Sequence, residues 1–253
     1  GDVYKRQCST TATNAVSREF GSLISLLSMD AKTFEEKTKE FSSHISSTLN
    51  DTLSGPVAKV HSDVTGPQAS IIRTTKKLIS DNCPGKQFGV LASDFSCCAS
   101  SSGRYFAVEE SHIRIKIGYG EKTRPVIRID FNRDDNSYIS CHAHVVGANS
   151  LFDYLTPRIG KNRSSNRQYL PQTTDVLHIP VGGKRFRPTI EDVIELLIRQ
   201  CGVSHPDNAL EIIQKSRDEW IRTQTRAAVT DNPEAAIEAL KAIGYSVTKD
   251  ERP

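Results

Sequence analysis

Between Arg104 and Gly147 the chain alternates apolar and polar residues with a period of two, the pattern of a β-strand that has one buried face and one wet face. Ile113, Ile115, Ile117 and Tyr119 alternate with His112, Arg114 and Lys116. Ile127, Ile129 and Phe131 then alternate with Val126, Arg128 and Asp130, and Ile139, Cys141, Ala143 and Val145 with His142 and His144. The segments Gly118–Lys122 and Asn132–Asn136 between them are rich in turn formers and have hairpin length. This predicts an antiparallel meander of three strands, and Val176–Val181, ending at Gly182-Gly183, adds a fourth. The expected class is α+β: N-terminal helices, a central antiparallel sheet of about four strands, and C-terminal helices packed on the isoleucine face, which otherwise has no cover.

Helical periodicity flanks the sheet on both sides. The stretch from Thr13 to Leu53 reads as helix, with Phe34, Phe41, Ile45, Leu49 and Leu53 on one stripe, Asp30 as N-cap and Gly55-Pro56 as the stop. Phe20 with Leu23, Ile24, Leu26 and Leu27 reads as a separate short helix. A stripe this narrow packs on the rest of the chain or on a second chain. Ile71–Ile79 reads as a further helix ended by Asn82-Cys83-Pro84-Gly85, and Ser93–Gly103, small and polar, as loop. After the sheet, Ser150–Tyr154 suggests a short helix and Gly160–Asn166 a basic loop. Thr189 with Asp192 resembles a capping box opening a helix that Gly202 can end. Helices over Asp207–Val229 and from Pro233 to Gly244 complete the chain. The implied division is 8–85 helical and 86–253 α+β, with the sheet over 104–181 and helices over 189–244. Residues 1–7 lack an initiator Met, are read as a non-native leader and are set aside.

Composition narrows the function classes. The chain has 253 residues, of which 37% are hydrophobic and 25% charged. No apolar run approaches the roughly 18 residues of a membrane span, so no membrane partner is expected. A net charge of +3 is too small to imply nucleic acid by itself. The six cysteines form no CxxC pair, and Cys97 and Cys98 are adjacent. Free thiols in a reducing cytoplasm are the expectation.

Period two has a chemical consequence. If the isoleucines are buried, His112, Arg114, Lys116, Arg128, Asp130, His142 and His144 share the opposite face, and burial of Leu177 and Ile179 would put His178 there too. Four of the seven histidines then fall on one side of one sheet. A solvated polar face without function produces the same pattern. If the face is functional, three chemistries fit. One is metal-independent ribonuclease chemistry: His142 and His144 act as acid and base with Asp130 beside them, Arg128 clamps phosphate, and Arg114 and Lys116 add charge, with no cofactor expected. Another is a transition-metal site built from His142, His144 and His178, or with Asp130. The third is binding without chemistry, the basic face holding a phosphate backbone such as RNA or a protein partner. The alternative from a different class is a non-catalytic interaction module that binds a protein partner through the N-terminal or C-terminal helices.

The segment Pro180–Pro188 places Lys184, Arg185 and Arg187 after tandem glycines. It lacks the Walker spacing. These three residues are expected to extend a phosphate-binding rim near His178.

From Arg128 to Tyr245 the wording is distinctive: Arg128-Ile129-Asp130-Phe131, the His142/His144 pair, Leu177–Gly183, Arg185–Pro188, Arg217–Trp220 and Asn232–Ala236. These segments resemble an uncharacterised bacterial family common in actinobacteria, which implies a bacterial protein but lends no activity. The strand-turn-strand ending in paired histidines is similar to small RNase toxins of toxin–antitoxin modules, which would imply an RNA substrate.

Overall fold

In a computed structural model the described residues are 29–81, 83–100, 103–118, 123–133, 139–146 and 178–249. They form an α+β protein with a single antiparallel sheet and four helices. Helix α1 spans Ala31–Thr52. Seven strands follow in strict meander order: β1 Lys59–Gly66, β2 Ala69–Ser80, β3 Cys83–Ala99, β4 Phe106–Ile117, β5 Arg124–Asn132, β6 Cys141–Val145 and β7 Ile179–Pro180. Helices α2 Ile190–Cys201, α3 Ala209–Asp231 and α4 Pro233–Ala242 close the chain.

The expected meander is present as β4, β5 and β6, but the sheet has seven strands rather than about four. The difference lies in β1–β3. Ile71–Ile79 is strand, not helix, and Ser93–Ala99 is strand, not loop. The part of 8–85 expected to be helical therefore yields its C-terminal portion to the sheet. The reason is visible in β2. Its inward positions are Ser70, Ile72, Thr74, Lys76 and Leu78, all buried. Three of the five are polar, which hides the alternation and leaves Ile71/Ile72 and Leu78/Ile79 spaced like helix turns. Each polar residue has a local partner: Ser70 Oγ lies 3.0 Å from Thr38 Oγ1, Thr74 Oγ1 lies 2.5 Å from Ser93 Oγ, and Lys76 Nζ donates to Asn50 Oδ1 at 3.2 Å. Such pairing offsets the cost of burying them.

The stripe on α1 packs within the chain. Phe34, Ile45, Leu49 and the following Leu53 are all at most 2% exposed, and Asp30 caps the helix by accepting from the Thr33 amide at 2.6 Å. Ile45, Leu49 and Leu53, together with Val193, Ile194 and Leu197 of α2 and Ile213 of α3, cover Ile72, Leu91, Ile113 and Ile115 of the sheet, while Phe34 packs on Phe106. Helices thus cover the isoleucine face, as the alternation requires. The three helices also share a polar junction: Ser216 Oγ donates to the buried Glu191 at 2.6 Å and lies 3.1 Å from His44 Nε2.

Helix ends follow their residues. The Thr189 amide donates to Asp192 Oδ2 at 2.7 Å, closing the box at the start of α2, and Gly202 ends that helix at φ 60°. Gly182 sits at φ 69°, where a Cβ would run into the Phe186 carbonyl, so the turn after β7 needs glycine. The leader, the short helix over 20–27, the helix at 150–154, the loop at 160–166, residues 176–177 and parts of both hairpin turns lie outside the described residues. No described helix is long and apolar enough to cross a membrane. Among the described residues Cys97, Cys141 and Cys201 are free thiols.

Candidate metal centre

Antiparallel pairing turns the polar face into two rows, because directly opposed residues stand side by side on one face. His112, Asp130 and His142 form one row across β4, β5 and β6. Arg114, Arg128 and His144 form the next. In β7, Ile179 pairs with Ala143 and Pro180 with His142, which brings the preceding His178 alongside His144.

Three imidazoles meet where the rows end. The ring centroids of His142, His144 and His178 are 5.0, 4.7 and 4.3 Å apart, in tilted or edge-on contacts. One ring nitrogen from each lies within 4.8 Å of the other two. His144 is 2% exposed, while His142 and His178 are half-buried.

Asp130 holds the middle of the site and is 8% exposed. Its Oδ1 is 2.7 Å from His112 Nδ1, and its Oδ2 is 3.4 Å from His144 Nε2 and 3.7 Å from His142 Nε2. Burial by itself would raise the Asp130 pKa, but the His112 hydrogen bond and the Arg128 charge outweigh it and hold the carboxyl below its ordinary range. The same hydrogen bond raises His112 against the opposing effect of burial, helped by Glu110, whose Oε1 is 3.1 Å from His112 Nε2.

Arg128 closes the group. Its Nη2 donates to His144 Nε2 at 2.9 Å, and its Nε lies 2.7 Å from Asp130 Oδ2 without the N–H being aligned for a hydrogen bond. Directly across the strand, Arg114 pairs with Asp94, and its own buried Nε–H has no acceptor among the described residues. Burial, with Arg128 nearby, lowers the Arg114 pKa.

The structure therefore brings together His142, His144, His178, Asp130 and Arg128, with Arg114 adjoining. Lys116 is on the same face but two residues beyond Arg114, past a register shift and opposite Pro125. The expected basic rim separates from the site. Arg187 lies 3.8 Å over the ring of Phe131, the neighbour of Asp130 that faces the other side of the sheet. Arg185 is bound by Asp231 at 2.6 and 2.8 Å, and Lys184 is exposed. His112 was legible as a member of the face but not as the partner of Asp130. Only strand register, which a sequence pattern does not contain, pairs the two. No family model matches the chain, and neither a curated protein nor a solved structure matches it.

Proposed function

We propose that the protein binds a divalent transition metal through His142, His144 and His178. The observation that carries this reading is the mutual approach of three imidazole nitrogens to within 4.8 Å. Zinc–imidazole bonds of about 2.0–2.1 Å put two ligands of one tetrahedral ion about 3.4 Å apart, so small side-chain adjustments close the set. An all-imidazole set suits zinc, copper, nickel or iron rather than magnesium or calcium, which prefer oxygen. Asp130, supported by His112, supplies the carboxylate that commonly orients metal-bound histidines and balances the charge of the ion. A metal held by three protein ligands keeps a further position for water or a ligand and acts there as a Lewis acid.

Metal-independent RNA cleavage is less well served by this geometry. An acid and a base acting on opposite sides of one phosphate need nitrogens about 6 Å apart, two hydrogen-bond reaches. His142 and His144 have nitrogens closer than that, and His144 is almost wholly buried.

Zinc titration of chelator-stripped protein tests the reading. One equivalent should bind the wild type with at least micromolar affinity, and His178→Ala and His142→Ala should each bind far more weakly. No binding, or equal binding in the wild type and His178→Ala, would overturn it.

A further inference from the structure

Arg128 and a metal cannot both use His144. A neutral imidazole has one lone pair and one N–H, whereas a guanidinium only donates. The present contact, Arg128 Nη2 to His144 Nε2 at 2.9 Å, takes the lone pair on Nε2. A metal on Nε2 would take the same lone pair. A metal on Nδ1 would leave Nε2 protonated and facing Asp130 Oδ2, now 3.4 Å away, and again unable to accept from arginine. Either way the hydrogen bond breaks.

We propose that Arg128 is an internal cation competing for this site, and that metal uptake hands its released guanidinium to a small oxyanion, a phosphate ester or carboxylate, beside the metal. The inference rests on the metal-binding reading above. Three further observations support it. The Arg128 side chain is 43% exposed, so its end can turn outward without disturbing the core. Its counter-ion Asp130 already serves His112 and would be drawn upon further by the metal-bound histidines. Arg114 stands directly opposite Arg128, and its buried Nε–H has no acceptor among the described residues. Like charges placed opposite each other across two strands repel, and an unpaired buried donor is costly. A bidentate oxyanion next to the pair relieves both, and arginine is the side chain best shaped to hold one.

The test uses the full chain, wild type, Arg128→Met and Arg128→Lys, with folding checked by circular dichroism. Zinc should bind Arg128→Met about tenfold or more tightly than the wild type, the worth of one lost charge-assisted hydrogen bond. Arg128→Lys, with a shorter and non-planar head, should fall between them and keeps the test open if the methionine variant fails to fold. In cobalt-loaded wild type, inorganic phosphate should shift the visible cobalt absorption saturably, and the shift should need at least tenfold more phosphate in either variant. Repeating the titration with acetate separates a phosphoryl preference from a carboxylate one. Zinc affinity no greater in either variant than in the wild type, or a phosphate and acetate response indifferent to residue 128, would overturn the proposal while leaving the metal site standing. Failure of every form to bind zinc would remove both.

Discussion

His112 and Asp130 face each other across β4 and β5, with Nδ1 of the histidine 2.7 Å from Oδ1 of the carboxylate. The contact fixes the carboxylate so that its other oxygen turns toward the three-histidine cluster. A half-exposed histidine two strands away from the cluster thereby orients the carboxylate beside it. In the proposed metal site, Asp130 would stand as a support behind the ligands, where orientation matters as much as the ligands.

Asp130→Asn should weaken metal binding by roughly 10- to 100-fold, the usual cost of losing such a support. It should also let His112 fall back toward the ordinary histidine range, since Asp130 is the largest cause of its raised pKa. Zinc titration measures the first effect, and the pH dependence of the His112 ring signals in NMR measures the second. An unchanged His112 titration would contradict the contact.

Glu191 should dominate acid sensitivity. Burial opposes its charge, but His44, whose Nε2 lies 3.8 Å from Glu191 Oε1, the Ser216 hydroxyl that donates to it and nearby Thr189 prevail and lower its pKa to about 2 from 4.5. A depressed carboxylate pKa contributes stability that is complete above 4.5 and is lost as pH falls through about 2. A shift of this size corresponds to about 3 kcal/mol at neutral pH. His44 has a raised pKa through the same pair, so its share is present below its ordinary value and fades as pH rises. Urea midpoints between pH 2 and 7 should fall steeply toward acid in the wild type and much less in Glu191→Gln, which should be the less stable protein at pH 7.

Lys76→Met should stabilise the fold. Lys76 is 1% exposed, and among the described residues its Nζ meets only Asn50 Oδ1, which also accepts from the Ala58 amide. Replacing the buried cation with an apolar chain of similar length should gain roughly 1–3 kcal/mol. Burial lowers the Lys76 pKa, so the unfolded chain holds its proton to higher pH and wild-type stability rises as the folded lysine deprotonates. The variant should lack that alkaline rise, as denaturant melts across the alkaline range would show.

Leu49→Ala should cost roughly 2–5 kcal/mol, as expected for a fully buried leucine. Leu49 is 0% exposed against the sheet of its own chain. The loss should therefore be independent of protein concentration in urea denaturation. A midpoint that moves with concentration would instead indicate that the α1 stripe is shared between chains.

Much of the sheet was readable from its residues. In β4 to β6 the isoleucines are on one face and the charges on the other, and a strand pattern of that clarity leaves few alternatives. The polar face carrying His112, Arg114, Arg128, Asp130, His142 and His144 follows from period two alone. Strands β2 and β3 were not readable, because Ser70, Thr74, Lys76 and Ser93 occupy inward positions that a hydrophobic pattern expects to be apolar. Their burial depends on partners on other elements, Thr38 and Asn50 among them, which come together only when α1 packs on the sheet.

The candidate site divides along the same line. Local alternation determined which side chains share a face, because the pleat sends every second residue the same way. Tertiary structure decided which of them touch. Register set His112 against Asp130 and Arg128 against His144, and β7 delivered His178 from 34 positions beyond His144 in the sequence. It also sent Arg187 to the opposite side, onto Phe131. Periodicity is a property of neighbours along the chain, whereas a metal centre is a property of atoms that converge from different strands, and only the folded sheet brings those together.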